Sequence, residues 1–372
     1  MKICMNETVT IKQLADRFQL SERLLKDSNP SLQNEQIPEG AIIEIPGWRG
    51  VNSSSSIGKF INIADIKKVE PITKPVIQPK RHYHFQSLVN DIGTLKAFYP
   101  FMKERIIGYS VLGNPLIELI IGCGPKKVHM NGSFHANEWI TSAIMMKWLN
   151  DYLRKLVLNE YFSSKPVREF YENITLSYVP MVNPDGINLV LGSHETDVEI
   201  RKQAIQLNGG STDFSNWKSN VRGVDLNNQY PAFWEIEKRR KPQKTPSPRD
   251  YPGDRPLSEP EAMAMAELAK RSLFDIILAF HTQGEEIYWG YLNYEPEVSE
   301  LIVKDYERAS GYKAVQTIDS HAGFRDWFIK EFRKPGFTVE LGAGTNPLPL
   351  SQFDEIDRKA NGIFWTTLFH FS

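Results

Sequence analysis

The chain has 372 residues, of which 41% are hydrophobic and 24% charged, and this length allows one large globular domain or a large domain with a small appendage. Its formal net charge of −1 excludes the strongly basic surface expected of a protein that binds nucleic acid or anionic lipid. The two cysteines, Cys4 and Cys123, cannot form a disulfide framework and argue against a thiolate metal site, so any metal is expected to have histidine and carboxylate ligands.

The amino terminus lacks the apolar stretch of a secretory signal, because polar Asn6 and Glu7 follow the first five residues. No later segment has a run of apolar residues long enough to span a membrane. The sequence therefore predicts a cytoplasmic protein with neither a nucleic-acid nor a membrane partner, and association with the forespore or spore is the alternative.

Residues 1–48 have a pattern of their own. A β-prone piece at 9–11 is followed by apolar residues at helical spacing, a second helical piece at 21–27 and the isoleucines of 42–45, which predicts a β-α-α-β unit. The segment resembles a LysM domain, a small module that binds N-acetylglucosamine polymers, and the resemblance implies contact with the glycan strands of peptidoglycan. Thr10-Ile11-Lys12 replaces the Gly-Asp that this family usually has there, so the alternative is a small stabilising cap.

Residues 49–81 are predicted to be a linker, because serines at 53–56 precede widely spaced prolines in a charged stretch. Residues 82–372 alternate short apolar strands with helices, which predicts an α/β domain with a mixed, mainly parallel sheet. The predicted strands are 116–121, 127–131, 174–182, 275–280 and 337–341, and the predicted helices are 139–157, 258–272, 296–310 and 352–371.

Two local features complete this prediction. Ser258 and Glu261 have the spacing of a capping box, which predicts that a helix begins at Ser258. The segment 235–252 is rich in lysine, arginine and proline, and is predicted to be an exposed loop.

His135 and Glu138 follow the predicted strand at 127–131, at the point where a helix begins. Ligands of open α/β sheets bind at the carboxyl ends of strands. A spacing of three residues lets an imidazole nitrogen and a carboxylate converge on one ion as the chain turns from strand to helix. A His-x-x-Glu pair alone is weak evidence, since such pairs often arise by chance.

Two further strands end in polar residues. His281 follows the apolar strand at 275–280, and two histidines with one glutamate leave a fourth coordination position open, as catalytic zinc sites do. Glu340 lies in an apolar run, where an unpaired carboxylate is costly to bury. We therefore predict one zinc ion per chain, held by His135, Glu138 and His281, with Glu340 as the general base toward the attacking water.

These residues, in this order, resemble the zinc carboxypeptidase family, the carboxypeptidase A-like metallopeptidases. The resemblance extends over most of 82–372 and implies an eight-stranded mixed sheet flanked by helices, with the zinc ligands named above. Other tracts that match the family's order are Gly113 to Ile117, Asn183-Pro184-Asp185-Gly186, Arg222 to Asn227, and Ser258 to Glu261.

Several positions depart from the family's pattern. Asn228 and Ile318 stand where the family has the arginine and the tyrosine that hold a C-terminal carboxylate, and Asn137 replaces an arginine within the His-x-x-Glu motif. Lys218, after Trp217, replaces the electrophilic arginine, and as a point charge it can still stabilise an oxyanion. A complete zinc motif without the carboxylate clamp predicts a peptidase with an altered substrate.

Within the family, the tracts at 281–289 and 322–328 resemble the γ-D-glutamyl-meso-diaminopimelate peptidases of bacilli, which carry amino-terminal LysM modules and act on peptidoglycan peptides. Such a substrate has several carboxylates and a free amine, so the predicted contacts are charged or polar side chains. They are Arg222 and Arg325 for the carboxylates, Glu285 or Glu286 for the amine, and Asn227.

The sequence leaves three alternatives open. A general metallocarboxypeptidase would need the missing clamp residues. An amidohydrolase of the aspartoacylase type would also use His-x-x-Glu with a distant histidine, but the Asn183 to Gly186 tract and the chain length favour a peptidase. A peptidoglycan-binding protein with a degenerate catalytic domain should lack part of the metal site, whereas every predicted ligand is present.

Overall fold

The computed structural model describes residues 1–32, 34–50, 60–62, 69–193 and 198–372. Most strands of the large domain form where aliphatic and β-branched residues are consecutive. The strands are β1 Lys2–Cys4, β2 Val9–Thr10, β3 Gln36–Ile37, β4 Ile42–Glu44, β5 Trp48–Gly50, β6 Phe60–Asn62, β7 Val69–Pro71, β8 Lys103–Tyr109, β9 Pro115–Gly122, β10 Lys126–Gly132, β11 Tyr161–Phe162, β12 Lys165–Pro166, β13 Ile174–Val179, β14 Ile276–His281, β15 Glu286–Tyr288, β16 Lys313–Val315 and β17 Gly336–Glu340.

Helices connect these strands and bury their apolar faces. In the described part of the chain, none is both long and apolar enough to cross a bilayer. The helices are α1 Ile11–Phe18, α2 Glu22–Ser28, α3 Phe85–Phe98, α4 Ile140–Val157, α5 Val167–Asn173, α6 Pro184–Val190, α7 Val198–Leu207, α8 Trp234–Arg240, α9 Pro260–Ser272, α10 Val298–Ser310, α11 Phe324–Phe332 and α12 Phe353–Phe371.

The main sheet has eight strands in the order β16-β15-β17-β14-β10-β13-β9-β8. Four neighbouring pairs are parallel (β13 with β10, β10 with β14, β14 with β17, β15 with β16) and three are antiparallel. The predicted mixed, mainly parallel, eight-stranded sheet flanked by helices is thereby confirmed. The arrangement puts β10, β14 and β17 side by side and parallel, so their carboxyl ends lie at one edge.

Two local predictions were wrong. Helix α9 begins at Pro260 with Glu259 as its N-cap and no side-chain cap, because the Ser258 hydroxyl bonds instead to Gln229 at 3.1 Å and Glu259 at 3.0 Å. The segment 235–252 contains most of helix α8 and a buried Tyr251, so it is not simply an exposed loop. Most of its basic residues face solvent or acidic partners, while its one aromatic side chain, Tyr251, packs inward.

The amino-terminal segment contains the predicted order of strand, helix, helix and strand. Strand β1 pairs antiparallel with β4, and α1 and α2 lie between them in the chain. The first strand is at 2–4, ahead of the predicted piece at 9–11. Of that piece, Val9–Thr10 form the short strand β2, which pairs with β3, and Ile11 begins α1. Its resemblance to a LysM domain stays a prediction.

Part of the predicted linker packs against the rest of the chain. Strand β7 pairs with β5, and Ile72 and Ile77 are buried. The amino-terminal segment also contacts the larger domain directly, since the Tyr171 hydroxyl donates to Asp27 at 2.7 Å. The serines at 53–56 lie outside the described residues, and the domain boundary at residue 82 remains a prediction.

A buried carboxyl group in α9 makes stability depend on pH. Glu261 is fully buried, and its Oε1 accepts from Val111 N at 3.1 Å. Burial and the nearby negative charge of Asp185 raise its pKa to about 8, whereas the unfolded chain loses this proton near about pH 4.3. Between these values the folded chain holds a proton that the unfolded chain lacks, so stability falls as pH rises.

We therefore expect Glu261→Gln to gain stability relative to the wild type by about 1.4 kcal/mol per pH unit between roughly pH 5 and 8. Urea unfolding across this range measures the difference, with exposed Glu267→Gln on the same helix as the control. Parallel stability curves for Glu261→Gln and the wild type would show that this carboxyl group does not hold its proton in the folded chain.

Candidate metal centre

The three predicted strand ends meet at one edge of the main sheet. His281 is the last residue of β14 and is the register partner of Glu340, the last residue of β17. His135 follows the neighbouring strand β10 by three residues, and Glu138 lies in the 3-10 turn 136–138 that leads into α4. Adjacent parallel strands therefore bring together residues that are far apart in the sequence.

The side chains of His135, Glu138 and His281 converge in a buried cluster. His135 Nδ1 lies 2.7 Å from Glu138 Oε1, and His281 Nδ1 lies 3.0 Å from Glu138 Oε2. The two Nδ1 atoms are 3.2 Å apart. Thr282 N also donates to Glu138 Oε2 at 3.2 Å, which fixes the carboxylate.

The donor set of this cluster fits a zinc ion. Two imidazole nitrogens facing each other beside a carboxylate repel one another unless a proton or a cation lies between them. One candidate atom from each of the three residues lies within 4.8 Å of the others. Nitrogen and oxygen donors of this kind, three in number, are typical of catalytic zinc sites.

The charges of the cluster favour a positive charge between the two imidazoles and the Glu138 carboxylate. Burial alone would lower the pKa of His135, but the carboxylate of Glu138 raises it to about 9. Burial alone would raise the pKa of Glu138, yet the adjacent His135 and His281 hold it well below its usual range. Burial lowers the pKa of His281, which favours its neutral form.

The Asn183-Pro184-Asp185-Gly186 tract holds the loops around the cluster. Asn183 caps α6 by accepting from Gly186 N at 3.0 Å, and its Nδ2 donates to Phe134 O and Ser219 O, each at 3.1 Å. A side chain at Gly186 would place its Cβ 2.8 Å from Ala136 Cβ, so only glycine fits. The tract therefore ties the loop before His135 to the loop that carries Lys218.

Asp225 is a site residue to which the sequence reading gave no role. It is fully buried, with Oδ1 3.3 Å from His135 Nε2 and Oδ2 3.6 Å from Lys218 Nζ. A carboxylate behind a ligating histidine orients the ring and increases its basicity. The sequence does contain a signal, because Asp225 lies between Val224 and Leu226, just as Glu340 lies in an apolar run.

Glu340 is half-buried beside the cluster. Its register partners are His281 on one side and Glu286 on the other. Burial and the nearby negative charge of Glu138 raise its pKa to about 8, and a cation nearby would lower it. The group therefore lies beside the cluster, where it can exchange a proton with a bound water molecule.

A cavity of about 170 Å³ opens beside Glu340 and His135. Five further predicted or family-aligned positions line it: Lys218, Asn227, Asn228, Ile318 and Arg325. Asn228 and Ile318, which replace the family's clamp residues, thus face the space where a substrate would lie. Lys241 also lines the cavity, and the sequence reading did not predict it.

Arg325 is the most deeply buried cation of this cavity, with 3% of its surface exposed. Its Nε donates to Asp326 Oδ1 at 3.0 Å, and its Nη2 contacts the same oxygen. Its Nη1 is buried and has no hydrogen-bond partner among the described residues. A buried guanidinium with an unused donor is suited to bind an incoming carboxylate.

Three predicted substrate contacts lie elsewhere. Arg222 is largely exposed and pairs with Glu259 at 3.5 Å, and Glu285 forms a 2.6 Å ion pair with Lys359. Glu286 accepts from the Tyr288 hydroxyl at 2.9 Å. The structure brings none of these three into the lining of the cavity.

Comparison with known proteins agrees with this geometry. Residues 88–361 match the family model described as zinc carboxypeptidase. The chain is 42% identical to γ-D-glutamyl-L-diamino acid endopeptidase 1 of Lysinibacillus sphaericus, covering 95% of this chain and 96% of that protein. It is 44% identical to the protein YqgT of Bacillus subtilis (strain 168), covering 96% of each.

A solved structure shares the fold. Carboxypeptidase A from Helicoverpa armigera superposes with a TM-score of 0.59 at 18% sequence identity, covering 78% of this chain and 74% of that one. At this identity the similarity concerns the fold alone, and it confirms the predicted carboxypeptidase-like architecture.

Proposed function

This chain belongs to the zinc carboxypeptidase family of metallopeptidases, and we propose that it hydrolyses the γ-D-glutamyl-meso-diaminopimelate bond of peptidoglycan peptides. The proposal takes its substrate class from the Lysinibacillus relative, a γ-D-glutamyl-L-diamino acid endopeptidase. In this chain, the proposal rests chiefly on Arg325. Its Nη1 is buried and has no hydrogen-bond partner among the described residues, and the residue lines the same cavity as Glu340.

We assign the zinc ligands as His135, Glu138 and His281. When bound, zinc supplies Lewis acidity, which polarises a peptide carbonyl and acidifies water. Glu340 accepts a proton from the attacking water and returns it to the leaving amine. Lys218 places a positive charge beside the carbonyl oxygen as negative charge develops on it.

Lys218 can perform this role only if it stays protonated. Burial lowers the pKa of its ammonium group, but the carboxylates of Asp225 and Glu138 more than compensate and raise it. Arg325 and Asn227 then contact the substrate from the cavity wall. The absence of the arginine and tyrosine clamp, at Asn228 and Ile318, supports a substrate other than an ordinary C-terminal peptide.

The amino-terminal segment has a proposed role of its own. By its resemblance to LysM domains, we assign residues 1–48 to contact with glycan strands, 49–81 to a connecting segment and 82–372 to catalysis. We place the enzyme in the cytoplasm, with association with the forespore or spore as the alternative.

Mass spectrometry of digests tests the proposed activity. We expect cleavage of L-Ala-γ-D-Glu-meso-diaminopimelate at the γ-glutamyl bond and loss of that cleavage with a chelator. Ordinary α-linked peptides, with free and with blocked carboxyl termini, are the controls and should stay intact. Cleavage of the ordinary free peptide alone would instead make the enzyme a general metallocarboxypeptidase.

A further inference from the structure

The segment 235–252, which the sequence predicted to be an exposed loop, contributes Lys241 to the lining of the cavity beside Glu340. Lys218 N and Ser219 N donate to Pro248 O at 2.8 and 3.0 Å, and Asp225 N donates to Tyr251 O at 2.8 Å. The backbone around Pro248 and Tyr251 is therefore held against the stretch that carries Lys218 and Asp225.

Lys241 is the side chain that this segment contributes to the cavity lining. Its Nζ donates to Asp250 Oδ1 at 3.2 Å, whereas Glu237 Oε1 is 3.5 Å away, at the limit of a hydrogen bond. Glu237 is already engaged, since its Oε2 pairs with Arg240 Nε at 2.7 Å. An ammonium group has three donors, so Lys241 keeps donors for a ligand.

The free hydrogen-bond donors of the cavity suit a ligand with more than one carboxylate. Lys218, Lys241 and Arg325 come from three separate segments and line the same space of about 170 Å³. The carboxylates in the lining are Asp326 and Glu340, and Asp326 is already paired with Arg325. Each cation already has a carboxylate partner, Asp225 for Lys218 and Asp250 for Lys241, so what the cavity offers a ligand is free hydrogen-bond donors. An ordinary peptide brings one carboxylate at its terminus, which would leave the free donors of either Lys241 or Arg325 unused.

We infer that Lys241 is a specificity-determining residue that binds a second free carboxylate of the substrate, distinct from the one bound at Arg325. The inference rests on the proposed function, whose substrate has carboxylates on both the glutamyl and the diaminopimelyl residues. It adds a contact from a part of the chain in which neither the metal ligands nor the general base are found.

Steady-state kinetics with amidated substrates test this role. The peptides are L-Ala-γ-D-Glu-meso-diaminopimelate and versions in which one carboxylate at a time is replaced by its carboxamide. We expect Lys241→Met to raise KM about tenfold for the fully acidic peptide with little change in kcat. We expect the wild type to prefer a carboxylate to a carboxamide at the substrate position that contacts Lys241. The Lys241→Met variant should lose this preference. Lys241→Arg should keep that preference.

Two further variants complete the design. Lys244→Met, an exposed lysine of the same segment that donates to the Lys238 and Arg239 carbonyls, should behave as the wild type. Arg325→Met should lose the preference for a carboxylate over a carboxamide at a different position of the substrate. If Lys241→Met slows the acidic and amidated peptides equally, Lys241 is only a structural ion pair and the inference fails. If the wild type cleaves none of the peptides, the proposed function itself fails, and the inference with it.

Discussion

Glu340→Gln is expected to reduce kcat by about 100-fold to 10,000-fold on the wall peptide while zinc binding stays at one ion per chain. Glutamine has nearly the same shape as glutamate but cannot accept a proton from water at neutral pH. Glu340 lies beside the cluster and is not one of its three converging donors, so metal binding should survive the change. Single-turnover kinetics and zinc analysis of the same preparation measure both quantities.

The control for this variant is Glu331→Gln, an exposed position on α11. It makes the same chemical change outside the cavity and should leave kcat unaltered. Activity of Glu340→Gln within tenfold of the wild type would mean that another group acts as the base. Loss of zinc from Glu340→Gln would instead place this carboxylate among the ligands.

His281→Ala is expected to abolish stable zinc binding and, with it, activity. The change removes one of three protein donors from a buried site and leaves Glu138 without its 3.0 Å neighbour. Changes behind the ligands already weaken metal affinity by about 10-fold to 100-fold, so loss of a ligand should exceed about 100-fold. Zinc content after dialysis against a chelator, together with competition titration, measures the effect.

Asp225→Asn provides a graded comparison within the same site. The asparagine has the shape of Asp225 but interacts more weakly with the His135 ring. Zinc affinity should therefore fall by about 10-fold to 100-fold and not be lost. His370→Ala, which breaks a pair with Asp305 far from the cluster, should retain full zinc.

Full zinc occupancy in His281→Ala would remove His281 from the ligand set.

The sequence by itself predicted five strands and four helices of the large domain and the residues of the metal cluster, whereas the edge strands β8, β15 and β16 and helices such as α3 and α11 were not predicted. It could do so most directly for β14 and β17, because these buried strands are almost entirely apolar and the His281 and Glu340 that end them stand out. His135 and Glu138 follow β10, which also contains buried His129 and Asn131, so their position after the strand and their spacing carried the prediction. The carboxyl ends of neighbouring parallel strands lie at one edge, and this rule of topology predicted their convergence.

Helix starts and loops were harder to predict, because local signals compete with tertiary partners. The Ser258 hydroxyl had the spacing for a capping box, yet Gln229, 29 residues earlier, provides its acceptor. The basic composition of 235–252 indicated exposure, but Tyr251 packs inward and Lys241 reaches the cavity. The residues adjacent in the sequence do not indicate either of these contacts.

Only the tertiary structure decided which charged residues surround the metal centre. Arg222, Arg325, Glu285 and Glu286 were equivalent candidates in the sequence, since each is a charged residue in a matching tract. Packing separated them, because it buried Arg325 with an unused donor and left Arg222 largely exposed beside Glu259. A metal ligand is identified by the strand that delivers it, whereas a substrate contact depends on which distant segments fold against that strand.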